Sequence, residues 1–246
     1  MFAHGWDVER EQRMARQKAM GIVPQETRLP ARNDGVKAWQ EHSADERRVF
    51  TRLQAAFAGM LDHADQHLAR LIGFLDTAGI RDNTLILVLS DNGASQEGGP
   101  LGFVNAMGPY NFRPEPIAEK LRRIDDIGGP DSHSNFPHGW AMASNTPLRR
   151  YKQNTHGGGV RDPLIVHYPK AIQDRGGIRH QFHHVSDITP TVLELARLEP
   201  PAVIDGVEQK PIEGTSFAYS FVDAAAPDRH TTQYYEMFGS RALYHE

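Results

Sequence analysis

Cysteine is absent from the chain, which excludes disulfides, a thiol nucleophile and a thiolate metal site. Long apolar runs are absent too. None approaches the ~20 residues needed to span a bilayer, and Met1–Lys18 is too polar for a secretory signal. On that reading the protein is cytosolic, or its natural beginning lies upstream and carries any periplasmic or secretory leader. An excess of positive charge is also missing. Lys and Arg number 27 against 31 Asp and Glu, a formal net charge of -4, so nothing electrostatic calls for nucleic acid or an anionic membrane as a partner. Histidines number 13, yet no HExxH-type zinc pattern accompanies them, and no internal repeat or low-complexity tract occurs.

What is present is 246 residues of ordinary globular composition, enough chain for one large domain or two small ones. The stretch that organises it is Thr84–Gly93, TLILVLSDNG. Leu85 to Leu89 form a near-continuous apolar run of strand length, the pattern of a strand buried on both faces of a parallel sheet. Ligands of open α/β sheets collect beyond the carboxyl ends of strands, and there Asp91 and Asn92 offer two hard oxygen donors while Gly93 permits a sharp turn. Asp-Asn-Gly is equally ordinary turn chemistry, and spacing alone leaves both readings open.

Before this strand, Met1–Asp34 reads as a short surface helix over Asp7–Met20 followed by extended loop. Ser43-Ala44-Asp45-Glu46 has the form of a capping box. From it Phe50, Leu53, Phe57, Met60, Leu61, Ala64, Leu68, Leu71 and Leu75 recur at helical spacing, predicting one long amphipathic helix that Gly79 stops. Asp62, His63, Asp65, Gln66 and His67 lie on its polar, solvated face. A helix leading into a strand is the half-unit of an α/β layer.

After Gly93 comes a long stretch, Ala94–Asn145, poor in regular pattern apart from a helix predicted over Pro116–Ile127. Its aromatics Phe103, Tyr110, Phe112, Phe136 and Trp140 point to a packed covering loop near the strand end. Thr146–Gly159, TPLRRYKQNTHGGG, sets Arg149, Arg150, Lys152 and His156 before three glycines. Cations beside exposed turn amides suit an anionic ligand, and a basic surface turn reads the same way. Leu164–Tyr168 predicts a second buried strand closed by Pro169, and Ser186–Leu198 a helix with Pro190 near its start. His180, His183 and His184 beside Asp187 read mainly as a polar lead into that helix. Late strand pairing is expected around Thr231–Phe238.

Four stretches together resemble the type I sulfatases, the arylsulfatase branch of the alkaline phosphatase superfamily. They are GWDVEREQR (Gly5–Arg13), TLILVLSDNGASQEGGP (Thr84–Pro100), HGWAMASNTPLRRYKQNTHGGGVRDPLIVHYP (His138–Pro169) and VSDITPTVLEL (Val185–Leu195). The resemblance implies an α/β fold, an alkaline-phosphatase-like sandwich with a mostly parallel central sheet flanked by helices, incomplete at the N-terminus. Residues 1–198 would be the C-terminal part of the catalytic domain, and 199–246 an extension or the start of a small C-terminal subdomain. Asp91 and Asn92 match the acid and amide that complete the family's calcium site, with Mg2+ as the alternative cation. Lys152 matches the lysine that contacts the sulfate group.

Departures from the family pattern are as informative. Gly157-Gly158-Gly159 stands where many sulfatases carry Glu-Gly-Gly, and His156 before it is not read as catalytic. The nucleophile implied by the family is a formylglycine made from Cys or Ser within Cys/Ser-x-Pro-x-Arg, and that pattern is missing here, as are the two early aspartates. The expectation is a sulfuric ester hydrolase of which this chain carries part of the active site, is inactive alone, and pairs with a missing N-terminal part. Its strand edges should then be exposed and the isolated chain prone to associate. Two alternatives remain: a non-catalytic module that binds on the sulfatase scaffold, and a phosphodiesterase or phosphonate hydrolase of the same superfamily. The lack of a His next to Asp91 argues against the latter.

Overall fold

A computed structural model describes residues 1–246. It divides into two compact units: Met1–Ile80 with Val88–Ile165, and Arg81–Leu87 with Val166–Glu246.

The first unit is built on tryptophan. Helix α1 (Gly5–Ala19) and the 44–77 helix, α2 (Ala44–Thr77), enclose a core of Trp6, Trp39, Phe50, Leu53 and Trp140. The Trp6 ring meets Trp39 edge-on at 4.8 Å and Trp140 at 5.8 Å. Two glycines make that possible, because a Cβ on Gly5 would lie 2.1 Å from the Trp39 ring and one on Gly139 2.3 Å from the Trp6 ring. The indole N–H of Trp6 donates to the Lys37 carbonyl at 3.1 Å, and Asp7 accepts the Trp39 amide at 2.8 Å, so the polar edge of the cluster is satisfied. The N-terminal segment is the helix followed by loop that its pattern predicts, but one face of the helix is packed inside rather than lying on the surface. Trp6 and Met14 are buried, and even Glu9 and Arg10 lie inside, Glu9 against His4 and Arg13 at 2.9 Å each.

Helix α2 starts where its capping box places it. The Ser43 hydroxyl accepts the Glu46 amide at 3.2 Å and the Glu46 carboxylate accepts the Ser43 amide at 2.8 Å. Only its first part is covered: Val49, Phe50 and Leu53 are buried, whereas Met60, Leu61, Leu71 and Phe74 are more than half exposed. The polar stripe is solvated as expected, with a His63–His67 contact of 3.1 Å.

Strand β1 (Ile86–Leu89) and strand β2 (Leu164–His167) form a two-stranded sheet. The expected mostly parallel central sheet is not seen within these residues, and the two strands are not buried on both faces as their apolar runs predict. Burial on both faces requires neighbours on both edges and a helix on each face; here each strand has one neighbour, and Leu89 is 44% and Ile165 63% exposed.

Between the strands lie four short helices of the first unit: α3 (Met107–Tyr110), α4 (Ile117–Arg122), α5 (His138–Ser144) and α6 (Gly157–Val160). Helix α4 ends five residues earlier than the pattern predicts. Its buried Lys120 donates to the carbonyls of Leu101 and Gly102 at 3.0 and 2.5 Å. Phe103, Phe136 and Trp140 of the long stretch are buried, while Tyr110 and Phe112 stand out in solvent.

The second unit centres on α7 (Ile188–Ala196), entered through a 3-10 turn at Val185–Asp187. Two antiparallel hairpins follow: β3 (Val203–Ile204) with β4 (Val207–Glu208), and β5 (Thr232–Met237) with β6 (Ser240–His245). The last turns on Phe238 and Gly239, both at positive φ, the geometry of a tight hairpin. Asp187, fully buried, accepts hydrogen bonds from the amides of His184 (2.8 Å) and Thr215 (2.7 Å) and faces the His230 ring at 2.8 Å. The histidines beside it are thus a polar lead into the helix, with His230 as the partner that sequence spacing did not suggest.

Candidate active site

At the end of β1 the chain bends through Ser90, Asp91, Asn92 and Gly93, with the Ser90 hydroxyl donating to the Asn92 carbonyl at 2.8 Å. Gly93 is required by sterics. A Cβ there would lie 1.7 Å from the Gly158 carbonyl oxygen, and the Gly93 amide donates to Gly159 at 3.3 Å. Gly158 and Gly159 are constrained in turn, since Cβ atoms would fall 2.2 Å from the Arg150 oxygen and 2.0 Å from the Asn154 oxygen. Gly157 differs: its nearest neighbour would be the flexible Leu148 side chain at 3.3 Å. The departure from Glu-Gly-Gly falls on the one glycine of the three that the backbone does not demand.

Asn145 ties these strands of loop together. Its carbonyl accepts the Ala94 amide at 3.0 Å, and its NH2 donates to the oxygens of Arg150 and Gly158 at 2.9 and 2.8 Å. Sequence reasoning missed this residue. The only signal was an amide just after α5, directly before the basic stretch.

Lys152 sits between Arg150 and Gln153, both at positive φ, an uncommon conformation for side chains of this size. Its amide donates to Ala94 at 3.1 Å and its ammonium meets Glu97 at 2.9 Å. Glu97 and, less strongly, the Asp91 charge hold the Lys152 ammonium above the ordinary lysine range. Arg150 turns instead to Asp34 at 2.9 Å, and Arg149 and His156 are exposed. Of the four basic side chains in this stretch, only that of Lys152 belongs to a residue bonded to the segment after β1.

Asp162 was not foreseen. Burial, reinforced by the Asp91 charge, pushes its carboxyl up to about 6. Asp91 and Asn92 supply the oxygen donors a hard divalent cation prefers. Calcium takes about 6–8 such oxygens, and the chain brings together no group of three or more His, Asp or Glu that could hold a metal. The donor chemistry fits; the donor number is that of part of a site.

A family model described as Sulfatase matches residues 11–198. The chain is 32% identical over 246 residues to an uncharacterized sulfatase of Schizosaccharomyces pombe, an overlap covering 98% of this chain and 43% of that protein. It is 26% identical over 239 residues to the arylsulfatase of Klebsiella aerogenes, 97% of this chain and 48% of the relative. Identity to the mouse N-acetylgalactosamine-6-sulfatase is 28% over 163 residues, 65% of this chain and 24% of the relative. The chain spans less than half the length of each of these relatives.

Proposed function

Starting from the fact that this chain belongs to the sulfatase family, we propose that it supplies the cation- and anion-binding portion of a sulfuric ester hydrolase site. Asp91 and Asn92 hold Ca2+, or Mg2+ in its place, and Lys152 contacts the sulfate group. When bound, the cation neutralises sulfate oxygens as the S–O bond breaks. The ammonium of Lys152 offers compact positive charge and donors for the same oxygens. The observation that carries this reading is the lacing of the Asp91–Gly93 turn to the Lys152 loop through Gly93–Gly159, Asn145–Ala94 and Lys152–Ala94.

The nucleophile, formylglycine in this reading, and the remaining cation ligands come from a part of the sulfatase fold outside these 246 residues. Residues 1–198 are then the C-terminal part of the catalytic domain and 199–246 an extension of it. The chain alone binds sulfate esters weakly and does not hydrolyse them. Saturation-transfer NMR with an aryl sulfate tests the assignment: the signal should require Lys152 and vanish in Lys152→Ala. Undiminished binding in that variant overturns the role of Lys152, and hydrolysis by the isolated chain overturns the division of the site.

The absence of cysteine favours a second reading, a non-catalytic module that binds sulfate esters in a calcium-dependent way. It parts from the first if no partner segment restores turnover.

A further inference from the structure

The Lys152 ammonium does not rest on its own loop. Glu97 reaches it from the segment after β1, with Oε1 at 2.9 Å from Nζ. The other carboxylate oxygen of Glu97 accepts the Ser95 hydroxyl, and Ser95 Oγ accepts the Asn135 amide at 2.6 Å. Asn135 is itself fixed, because its backbone exchanges hydrogen bonds of 3.0 and 3.1 Å with Phe103. The backbone carrying Glu97 is anchored on α5: the His138 ring meets the Gln96 carbonyl at 2.9 Å and the His138 amide donates to Gly99 at 2.8 Å. Gly98 lies so close to Phe136 that a Cβ would fall 1.9 Å from its oxygen. Gln96 adds a second tie, donating to the Gln153 side chain at 3.0 Å.

We propose that Glu97 is the positioning residue for Lys152, held by Ser95 and Asn135, and that this relay aims the ammonium before any anion arrives. The inference rests on the reading of Lys152 as the sulfate contact. An ammonium has three donors, and Glu97 takes one. The Lys152 side chain is 41% exposed against 18% for Glu97, so the carboxylate forms the inner wall and the free donors face outward. A lysine stem otherwise samples many rotamers, and fixing it in advance removes that entropy cost from binding. The negative charge of Glu97 also keeps the amine protonated, together with weaker contributions from Asp91 and Tyr110.

The relay can be read without turnover, from the rate at which each lysine amine is acylated by trace reagent near pH 8, resolved by peptide mass spectrometry. Exposed Lys37 serves as the internal standard. In Glu97→Gln, labelling of Lys152 relative to Lys37 should rise roughly two- to fivefold, the range for loss of a partly exposed ion pair. Ser95→Ala, a milder change, should give a smaller rise in the same direction, and Ser95→Thr, which keeps the hydroxyl, should restore the original rate. Unchanged Lys152 labelling in both Glu97→Gln and Ser95→Ala overturns the proposal. A failure of aryl sulfate to protect Lys152 in the original chain, with the Glu97→Gln rise intact, supports the relay and instead removes the sulfate-contact reading.

Discussion

The two halves of the candidate site are built differently. On the anion side, Lys152 is bracketed by two left-handed residues, bonded through its amide and held at 2.9 Å by Glu97. On the cation side, Asp91 is exposed with no side-chain hydrogen bond, and its charge adds to the burial that raises the Asp162 carboxyl. A lysine can be satisfied by one internal carboxylate, whereas a divalent cation needs several converging oxygens. Lys152 has its carboxylate partner within the chain, whereas Asp91 and Asn92 offer fewer oxygens than a divalent cation takes.

Both halves hang on the same backbone, and the largest effect should come from breaking it. Gly93→Ala would drive a methyl into the Gly158 carbonyl and cost about 3 kcal/mol, the upper part of the overpacking range, read as a fall in the urea midpoint. Gly157→Ala, beside the demanding glycines, should change stability by ~0.5 kcal/mol or less. Equal effects in the two variants would dissolve the distinction drawn between them. Asn145→Ala comes next, at roughly 1–3 kcal/mol, since it leaves the Ala94 amide and two loop carbonyls without their partner.

The cation side should reveal itself through pH. In the metal-free chain Asp162 has its carboxyl pushed up to about 6, well above the ordinary aspartate range, so the unfolded chain ionises first. Its favourable contribution is complete below pH ~4 and is lost as pH rises toward ~6. Asp162→Asn should flatten that decline and stabilise the chain at pH 7, with thermal midpoints across pH 4–7 in chelator as the check. A small effect on stability is expected on the anion side. Lys152→Met should cost at most ~1 kcal/mol, because the pair with Glu97 is partly exposed, while abolishing aryl sulfate binding.

Local signals were legible where the physics is local. The Ser43–Glu46 box gave the start of α2 to the residue, and the apolar runs gave β1 and β2. Asp91, Asn92 and Lys152 were singled out by motif; Asp91 and Asn92 follow β1 directly, and the Lys152 amide bonds to Ala94 just beyond them. What the sequence hid depends on distant partners. Trp6 reads as part of a charged surface helix until Trp39 and Trp140 are seen to enclose it. Asn145, Glu97 and Asp162 gain their roles only when loops far apart in the chain close on one another. The same limit explains the sheet: apolar strands predict burial, and burial needs neighbours that β1 and β2 do not have within these residues. The exposed Phe74 and Ile165 should make the isolated chain self-associate, and Phe74→Glu should reduce this in analytical ultracentrifugation.

The most direct test of the central assignment is an NMR titration of the isolated chain with Ca2+, following backbone amides. With so few protein donors, a dissociation constant on the order of 1 mM is expected, with shifts concentrated at Asp91, Asn92 and the neighbouring Asp162 segment and lost in Asp91→Asn. Shifts centred elsewhere, or unaltered by Asp91→Asn, would contradict the assignment of this strand end as the cation-binding portion of a sulfatase site.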